Sequence, residues 1–322
     1  MLSRNGLASL TIRYVDAGDA LPHPSGTLAL LGFGARPADD PRALRIPLHP
    51  RGTPVFERWH VAAEVACGRN GALHWAAGGG WMFVALDVHE ADHDGIEAAS
   101  EYVYRTLCDF VASRPEHHLL RVWNYLHAIN VGTGDAERYR QFCMGRARGL
   151  AAFGIERYPA ATAIGHRNEQ GLLQVYALCA TQPGQAFENP RQVSAWRYPR
   201  QYGPTPPSFA RAMKLPNAGV AISGTAAIIG HASQHSRDVE AQVSETFLNL
   251  HALLETTGSR DFDNATPLKI YLRHAEDMPA VEAALAQRLD PRVPRIVLPG
   301  DICRSELLVE IDGWSNLPSA TA

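Results

Sequence analysis

The stretch Val239-Glu240-Ala241 repeats the pattern of Ile96-Glu97-Ala98 at an offset of 143 residues, and this pair decides the fold. The same offset joins four further apolar pairs: Tyr104 with Phe247, Leu107 with Leu250, Phe110 with Leu253, and Val111 with Leu254. In both stretches apolar side chains recur at i, i+3 and i+6 or i+7, which is the stripe of an amphipathic helix. An internal repeat of this kind predicts two copies of one structural unit.

Strand-like runs follow the two predicted helices in the same order. Each helix precedes a β-type run that ends in Tyr-Leu, at 122–126 in the first copy and at 269–272 in the second. A second helix is predicted after each run, and a further β-rich run closes each copy, at 171–178 and 306–312. The fold class is therefore α+β, with two tandem domains that each pack helices on one face of a mixed β-sheet.

The boundary between the copies is predicted where Pro183 and Gly184 interrupt both periodicities. We expect a first domain at 1–182, which includes an extra N-terminal segment, and a second at 183–322. The Pro-, Tyr- and Arg-rich stretch 189–216 is interpreted as an ordered loop of the second domain. Loops of this length in compact domains are usually functional or disordered, and the aromatic content of this one favours a functional role.

Composition narrows the class of partner. The chain has 322 residues, 46% hydrophobic residues and a formal net charge of −3, which excludes disorder as the main state and leaves no basic field for nucleic acid or an anionic membrane. The five cysteines are far apart and form no CxxC pair, which argues against a disulfide scaffold or structural zinc. No apolar run approaches the length of a membrane span. Together with the cysteine pattern, this predicts a cytoplasmic protein, and the near-neutral charge favours a small-molecule ligand.

Metal and nucleotide motifs are weak. His89 and His93 are four residues apart but lack a third ligand at a suitable spacing, so no metal is expected. The glycines at 78–80 precede an apolar strand and do not open a helix, and the chain has neither GxGxxG nor GxxxxGK[ST]. These patterns give no support to phosphate binding.

The closing run of the second copy offers a candidate acid. Glu310 lies between Val309 and Ile311, so strand alternation points its carboxyl to the opposite face from those apolar side chains. If that face lines a pocket, burial raises the pKa of the carboxyl and makes it an acid usable near neutral pH. A solvated strand carboxylate is the alternative interpretation. Several arginines lie near tyrosines, an arrangement that can clamp carboxylates and stack on a ring.

The chain resembles the chorismatases, a family that looks like two fused units of the YjgF/RidA type. The residues that carry this resemblance are Arg121 to Leu126, Arg138 to Phe142 with Gly145-Arg146, Tyr202-Gly203-Pro204, Gly224-Thr225-Ala226 with Gly230-His231, and Cys303-Arg304 with Leu307 to Ile311. These marks span nearly all of the chain beyond residue 50. Ala227 departs from the pattern, since Ser is expected there.

The resemblance implies cofactor-free removal of pyruvate from chorismate, with Glu310 as the acid. Chorismate carries two carboxylates, so two arginine clamps are expected, and the candidates are Arg146 and Arg211. The remaining predicted substrate-binding residues are Tyr125, Tyr139, Tyr198, Tyr202, Gly224 and Thr225. Cys303 matches the members that form 3-hydroxybenzoate, since hydrolytic members tend to have Ala there. The expected product is therefore 3-hydroxybenzoate, with 4-hydroxybenzoate as an additional product in some members.

The sequence is compatible with three alternative functions. A hydrolytic chorismatase would release a dihydroxycyclohexadiene carboxylate, and a YjgF-like imine deaminase would depend on an arginine such as Arg295 or Arg304. A non-catalytic binding module would leave Glu310 with a structural role. A homo-oligomer is compatible with the sequence, because the fusion can satisfy its sheet edges internally or still assemble.

Overall fold

The computed structural model describes residues 6–16, 24–152, 158–216, 219–259 and 261–317. A four-stranded sheet comes first along the chain, with the strand order β1-β4-β2-β3. Its strands are β1 (Leu10–Asp16), β2 (Thr27–Phe33), β3 (Ala43–Arg45) and β4 (Val55–Val61). Within the described ranges, no helix is both long and apolar enough to cross a membrane.

A six-stranded sheet follows, with two helices in its connections. Its strands are β5 (Ala66–Asn70), β6 (Leu73–Gly78), β7 (Trp81–His89), β8 (His118–His127), β9 (Ala160–His166) and β10 (Leu172–Ala180). Helix α1 (Gly95–Ala112) joins β7 to β8, and α2 (Arg138–Ala152) joins β8 to β9. The strand order is β5-β6-β7-β10-β8-β9, and β8 pairs with β9 in parallel.

The second six-stranded sheet repeats this plan. Its strands are β11 (Gln185–Phe187), β12 (Ala212–Lys214), β13 (Val220–Ala226), β16 (Leu268–Leu272), β17 (Arg295–Pro299) and β18 (Val309–Ser315). A two-stranded hairpin, β14 (Ile228–Ile229) and β15 (Ala232–Ser233), precedes helix α3 (Val239–Thr257), and α4 (Met278–Ala286) joins β16 to β17. The order β11-β12-β13-β18-β16-β17 matches the first sheet position by position, and β16 pairs with β17 in parallel.

The topology confirms the predicted duplication and the α+β class. Both repeated helices form where expected, and α3 has clear end signals: Asp238 accepts a hydrogen bond from Ala241 N, and Gly258 ends the helix at φ 67°. The last strand begins at Val309, three residues later than predicted. The sequence patterns gave no indication of β9 and β17, the parallel edge strands.

The core explains why helices occupy one face of each sheet. One cluster joins α1 and α2 to the first sheet, and a second joins α3 and α4 to the other. A third cluster lies between the opposite faces of both sheets and the four-stranded sheet, and contains Trp59, Trp123 and Trp314. The sheets therefore share an interior. The boundary after Gln182 stays a prediction.

Candidate active site

A cleft of about 880 Å³, its mouth included, opens between residues of the two halves. Helix α2 and strand β9 supply one wall, β13 and β18 supply another, and the loop between β11 and β12 supplies a third side. Its polar and charged lining residues are Asn124, Glu137, Tyr139, Arg140, Cys143, Arg146, Thr162, Tyr198, Tyr202, Arg211, Cys303, Arg304 and Glu310. Eight of the ten predicted site residues line this cleft: Tyr139, Arg146, Tyr198, Tyr202, Arg211, Gly224, Cys303 and Glu310. Tyr125 and Thr225 do not line it.

Glu310 faces the cleft from the middle of the second sheet. As alternation predicted, Val309 and Ile311 pack in the core under α3, while Glu310 lines the cleft with 5% of its surface exposed. Burial raises the pKa of the Glu310 carboxyl to about 8, and the charge of Asp312 adds to this rise. The carboxyl is therefore mainly protonated at neutral pH, as a general acid requires.

Gly224 makes room for this carboxyl. The pairing of β13 with β18 shifts register between Ile222 and Thr225, so the strand is irregular at Gly224. A Cβ on Gly224 would lie 2.0 Å from Oε1 of Glu310. The observed position of the Glu310 carboxyl thus requires that residue 224 has no side chain.

Thr162 on β9 connects Gly224 to a buried ion pair by hydrogen bonds. The sequence analysis did not identify Thr162 as a site residue. Its Oγ1 accepts hydrogen bonds from Gly224 N at 3.0 Å and from Nη2 of Arg121 at 2.5 Å, and donates one to Oδ2 of Asp312 at 2.7 Å. Arg121 and Asp312 are completely buried and 3.2 Å apart. This network joins β18, the strand that carries Glu310, to β9 on the opposite wall.

Cys303 lies near Glu310 in the cleft as a neutral thiol. Burial of the thiol raises its pKa to about 12, and the neighbouring Glu310 adds to the rise. Nucleophilic chemistry at cysteine needs the thiolate. The geometry therefore favours a role in shaping the cleft over a role as nucleophile.

Arg146 and Arg211 are buried cations with unused donors. Arg146 donates through Nε to the Tyr104 hydroxyl at 2.8 Å, and Arg211 donates through Nη2 to the Tyr198 hydroxyl at 2.7 Å. Each residue is 3% exposed. Among the described residues, neither Nη2 of Arg146 nor Nε of Arg211 has a hydrogen-bond partner. Buried, unpaired guanidinium donors suit an anionic ligand.

Aromatic rings and a further arginine complete the cleft. The rings of Tyr198 and Tyr202 are 5.4 Å apart, and the Arg304 guanidinium lies 3.8 Å from the Tyr202 ring centroid. These tyrosines border two short 3₁₀ turns, Ala195–Arg197 and Arg200–Tyr202, within the loop predicted to be ordered. On α2, Tyr139 stacks against Phe142 with centroids 6.2 Å apart.

Two predicted residues lie elsewhere. Tyr125 is fully buried, and its hydroxyl lies 3.0 Å from that of Tyr271 in the shared interior. It points there because it alternates with Asn124, which faces the cleft. Thr225 is buried and donates to the carbonyl of Ser223 at 3.0 Å. The assignment of these two side chains to the substrate pocket is corrected accordingly.

Two arginines that line the cleft were absent from the predicted substrate site. The sequence analysis places Arg304 in the Cys303-Arg304 motif and in the deaminase alternative, and Arg140 in the motif at 138–142, and assigns neither to substrate binding. The other arginine weighed for deamination, Arg295, lies on β17 and is not a cleft residue. Within the described ranges, no three His, Cys, Asp or Glu side chains are grouped to hold a metal ion.

Comparison with known proteins identifies the family of this chain. A family model described as "Chorismatase FkbO/Hyg5-like, N-terminal" matches residues 57–179. A chorismatase from Streptomyces rapamycinicus is 35% identical over 277 residues, which cover 80% of this chain and 81% of that protein. The chain belongs to the chorismatase family. The expectation of an enzyme of this family is thereby confirmed.

Two further chorismatase-family comparisons extend the match. A protein from Streptomyces hygroscopicus named 3-hydroxybenzoate synthase is 33% identical over 286 residues, with 82% of each chain covered. A crystal structure of a chorismatase at 1.08 Å superposes with a TM-score of 0.84 at 30% identity, covering 96% of this chain and 99% of the other. The fold of the whole chorismatase unit is therefore present, including both six-stranded sheets.

Proposed function

We propose that this chorismatase-family member converts chorismate to 3-hydroxybenzoate and pyruvate. The observation that carries the proposal is the buried Glu310 carboxyl, whose pKa burial raises to about 8, beside Cys303 in a cleft that contains buried arginines with unused donors. Glu310 can act as a general acid because its pKa lies near neutral pH, and the Cys303 thiol beside it is uncharged. The arginines make the cleft cationic. These properties suit acid-assisted loss of an enolpyruvyl group from a dianion.

Charge complementarity favours a ligand with two carboxylates. Four arginines line the cleft against two carboxyl groups, those of Glu137 and Glu310. Arg140 pairs with Glu137 at 3.0 Å, and Glu310 is neutral when protonated. The cleft thus has surplus positive charge, and Arg146 and Arg211 can each engage one carboxylate of chorismate.

The first step is proton transfer from Glu310 to the methylene carbon of the enolpyruvyl group. The positive charge that develops on the ether-bearing carbon weakens the bond between the ring and the ether oxygen. When this bond breaks, its electron pair stays with the oxygen, which becomes the ketone of pyruvate. The arginine-bound carboxylates hold the reacting groups in place while this occurs.

The ring then completes the reaction without consuming water. The 4-hydroxyl oxygen attacks the carbon that lost the ether and returns its proton to the Glu310 carboxylate. The resulting arene-oxide-like species opens at the other carbon, loses the ring proton and gains one on oxygen, giving 3-hydroxybenzoate. Hydrolysis would instead consume one water and leave a dihydroxycyclohexadiene carboxylate, so Cys303 is proposed to exclude that water.

The deciding experiment incubates the purified protein with chorismate. Pyruvate is followed by coupled reduction, and the ring products are separated by chromatography. We expect equal amounts of pyruvate and hydroxybenzoate, with any 4-hydroxybenzoate resolved as a separate peak. Pyruvate accompanied only by the dihydroxycyclohexadiene carboxylate would establish the hydrolytic alternative, and absence of pyruvate would overturn the proposal.

Removal of either clamp is expected to weaken substrate binding. Arg146→Ala and Arg211→Ala each lose a charge-assisted hydrogen bond worth about 1.5–3 kcal/mol, so KM should rise about tenfold or more, and by a larger factor than kcat falls. Arg148→Ala is the matched control, because this arginine on α2 pairs with Glu97 and Glu101 outside the cleft. Steady-state kinetics that leave KM unchanged in a clamp variant would remove that arginine from the site.

Cys303 is expected to control product choice. Cys303→Ala opens space beside the acid, and a water needs only about 10–15 Å³ with polar partners. The variant should still consume chorismate but divert part of the flux to the dihydroxycyclohexadiene carboxylate. Cys303→Ser nearly restores the volume and should divert less. Chromatography at matched turnover measures the fraction, and identical product ratios in all three proteins would mean that Cys303 only packs the cleft.

A further inference from the structure

The segment 301–307 carries two cleft residues, Cys303 and Arg304, on irregular backbone. It lies between β17 and β18 and forms a bridge and turns instead of a continuous strand. Asp301 is joined to Gly165 of β9 by two backbone hydrogen bonds, of 2.7 and 2.9 Å. Carbonyl groups in such a segment need donors from outside a ladder.

Arg273, the residue after β16, supplies those donors. Its Nε donates to Leu307 O at 2.7 Å, and its Nη2 donates to Ile302 O at 2.8 Å and Arg304 O at 2.9 Å. Three carbonyls that flank Cys303 and Arg304 are thus held by one guanidinium. The side chain of Arg273 is 8% exposed.

The same side chain also contacts the first half of the molecule. Its Nη1 donates to the side chain of Asn130 at 3.0 Å and to Oδ1 of Asp301 at 3.0 Å. Arg273 is not a lining residue of the cleft. Its hydrogen bonds reach the site through the 301–307 segment, and its charge acts on Glu310 only as a smaller influence that lowers the pKa of that carboxyl. Five hydrogen bonds from Arg273, one of them to Asn130 of the first half, fix the segment relative to that half.

We propose that Arg273 is a positioning residue that sets the place of Cys303 relative to Glu310, and thereby the choice between hydroxybenzoate and the water-derived product. This inference rests on the proposed function. Loss of the guanidinium frees the three carbonyls and lets the segment shift, which opens space for water beside the acid. A shift of about 1 Å at a reacting centre can cost about 10²-fold in rate.

The test compares Arg273→Met and Arg273→Lys with Arg167→Met. Lysine keeps the charge but lacks the planar fork that reaches three carbonyls, so it should restore function in part. Arg167 is the matched control: it pairs with the same Asp301 at 2.6 Å, is 72% exposed, and lies outside the cleft. Thermal melting of each variant reports whether it is folded.

The decisive readout is the product ratio, because partial unfolding lowers the amount of active enzyme without changing the ratio made by each active molecule. We expect Arg273→Met to lose about tenfold or more in kcat and to release the dihydroxycyclohexadiene carboxylate as a substantial fraction of product. Arg273→Lys should be intermediate, and Arg167→Met should match the wild type in both measures.

Unchanged product ratios in the Arg273 variants, or an equal change in Arg167→Met, would overturn the inference while leaving the proposed function intact. If Arg273→Met does not fold, Arg273→Lys alone decides the matter by the same ratio. A wild-type protein that makes no hydroxybenzoate would overturn the proposed function and this inference together.

Discussion

Glu310→Gln is expected to remove nearly all pyruvate release while leaving the fold intact. The amide is nearly isosteric with the carboxyl and fits against Gly224, but it cannot deliver a proton to the enolpyruvyl group. General acid catalysis is worth about 10²–10⁴-fold, so kcat should fall by a factor in that range. Activity within threefold of the wild type would contradict the assignment of the acid.

The pH profile gives a second measurement of the same residue. Because burial raises the pKa of Glu310 to about 8, the acid form dominates below that pH and is lost above it. The wild-type rate should therefore decline about tenfold per pH unit above about 8, and the residual rate of Glu310→Gln should lack this decline. Glu306→Gln, a change at a carboxylate four residues before Glu310 that does not line the cleft, should retain both the rate and the profile.

The sequence predicted the duplication and the face to which Glu310 points for one physical reason, which is periodicity. Amphipathic stripes at a constant offset identify α1 and α3, and alternation about Glu310 identifies its face. Both signals are local. The same alternation rule, applied to β8, predicts that Tyr125 and Asn124 point to opposite faces of the sheet. Only the fold shows which of these two faces borders the cleft.

What the sequence could not supply are contacts between distant segments. Thr162 on β9 is an ordinary polar residue in an edge strand that lacks a strong pattern, and its role comes from three partners on β8, β13 and β18. Arg273 likewise has no local signature. Such residues are found only when the topology brings their partners together.

A buried group of four charged side chains connects the four-stranded sheet to the site. Glu57 of β4 pairs with Lys269 of β16 at 2.5 Å, and Lys269 lies 4.0 Å from Asp312, which pairs with Arg121. All four side chains are at most 1% exposed, so the two positive and two negative charges must compensate one another. Asp312 raises the pKa of Glu310, and this group holds Asp312 in place.

Gly224→Ala tests whether the position of the acid matters as much as its presence. The backbone of Gly224 is not in the left-handed region, so alanine adds no backbone strain there, but its Cβ would lie 2.0 Å from Oε1 and 2.8 Å from Cδ of Glu310. The carboxyl must move, and a misplacement of about 1 Å can cost about 10²-fold, so kcat should fall by about that factor while KM changes little. Ile222→Val is the matched control, because it perturbs β13 on the α3 face and costs about 0.5–1.5 kcal/mol of stability without touching Glu310. Steady-state kinetics and thermal melting of both variants separate a loss of stability from a displacement of the Glu310 carboxyl. A comparable loss of kcat in Ile222→Val, or full activity in Gly224→Ala, would mean that the contact between Gly224 and Glu310 does not set the position of the acid.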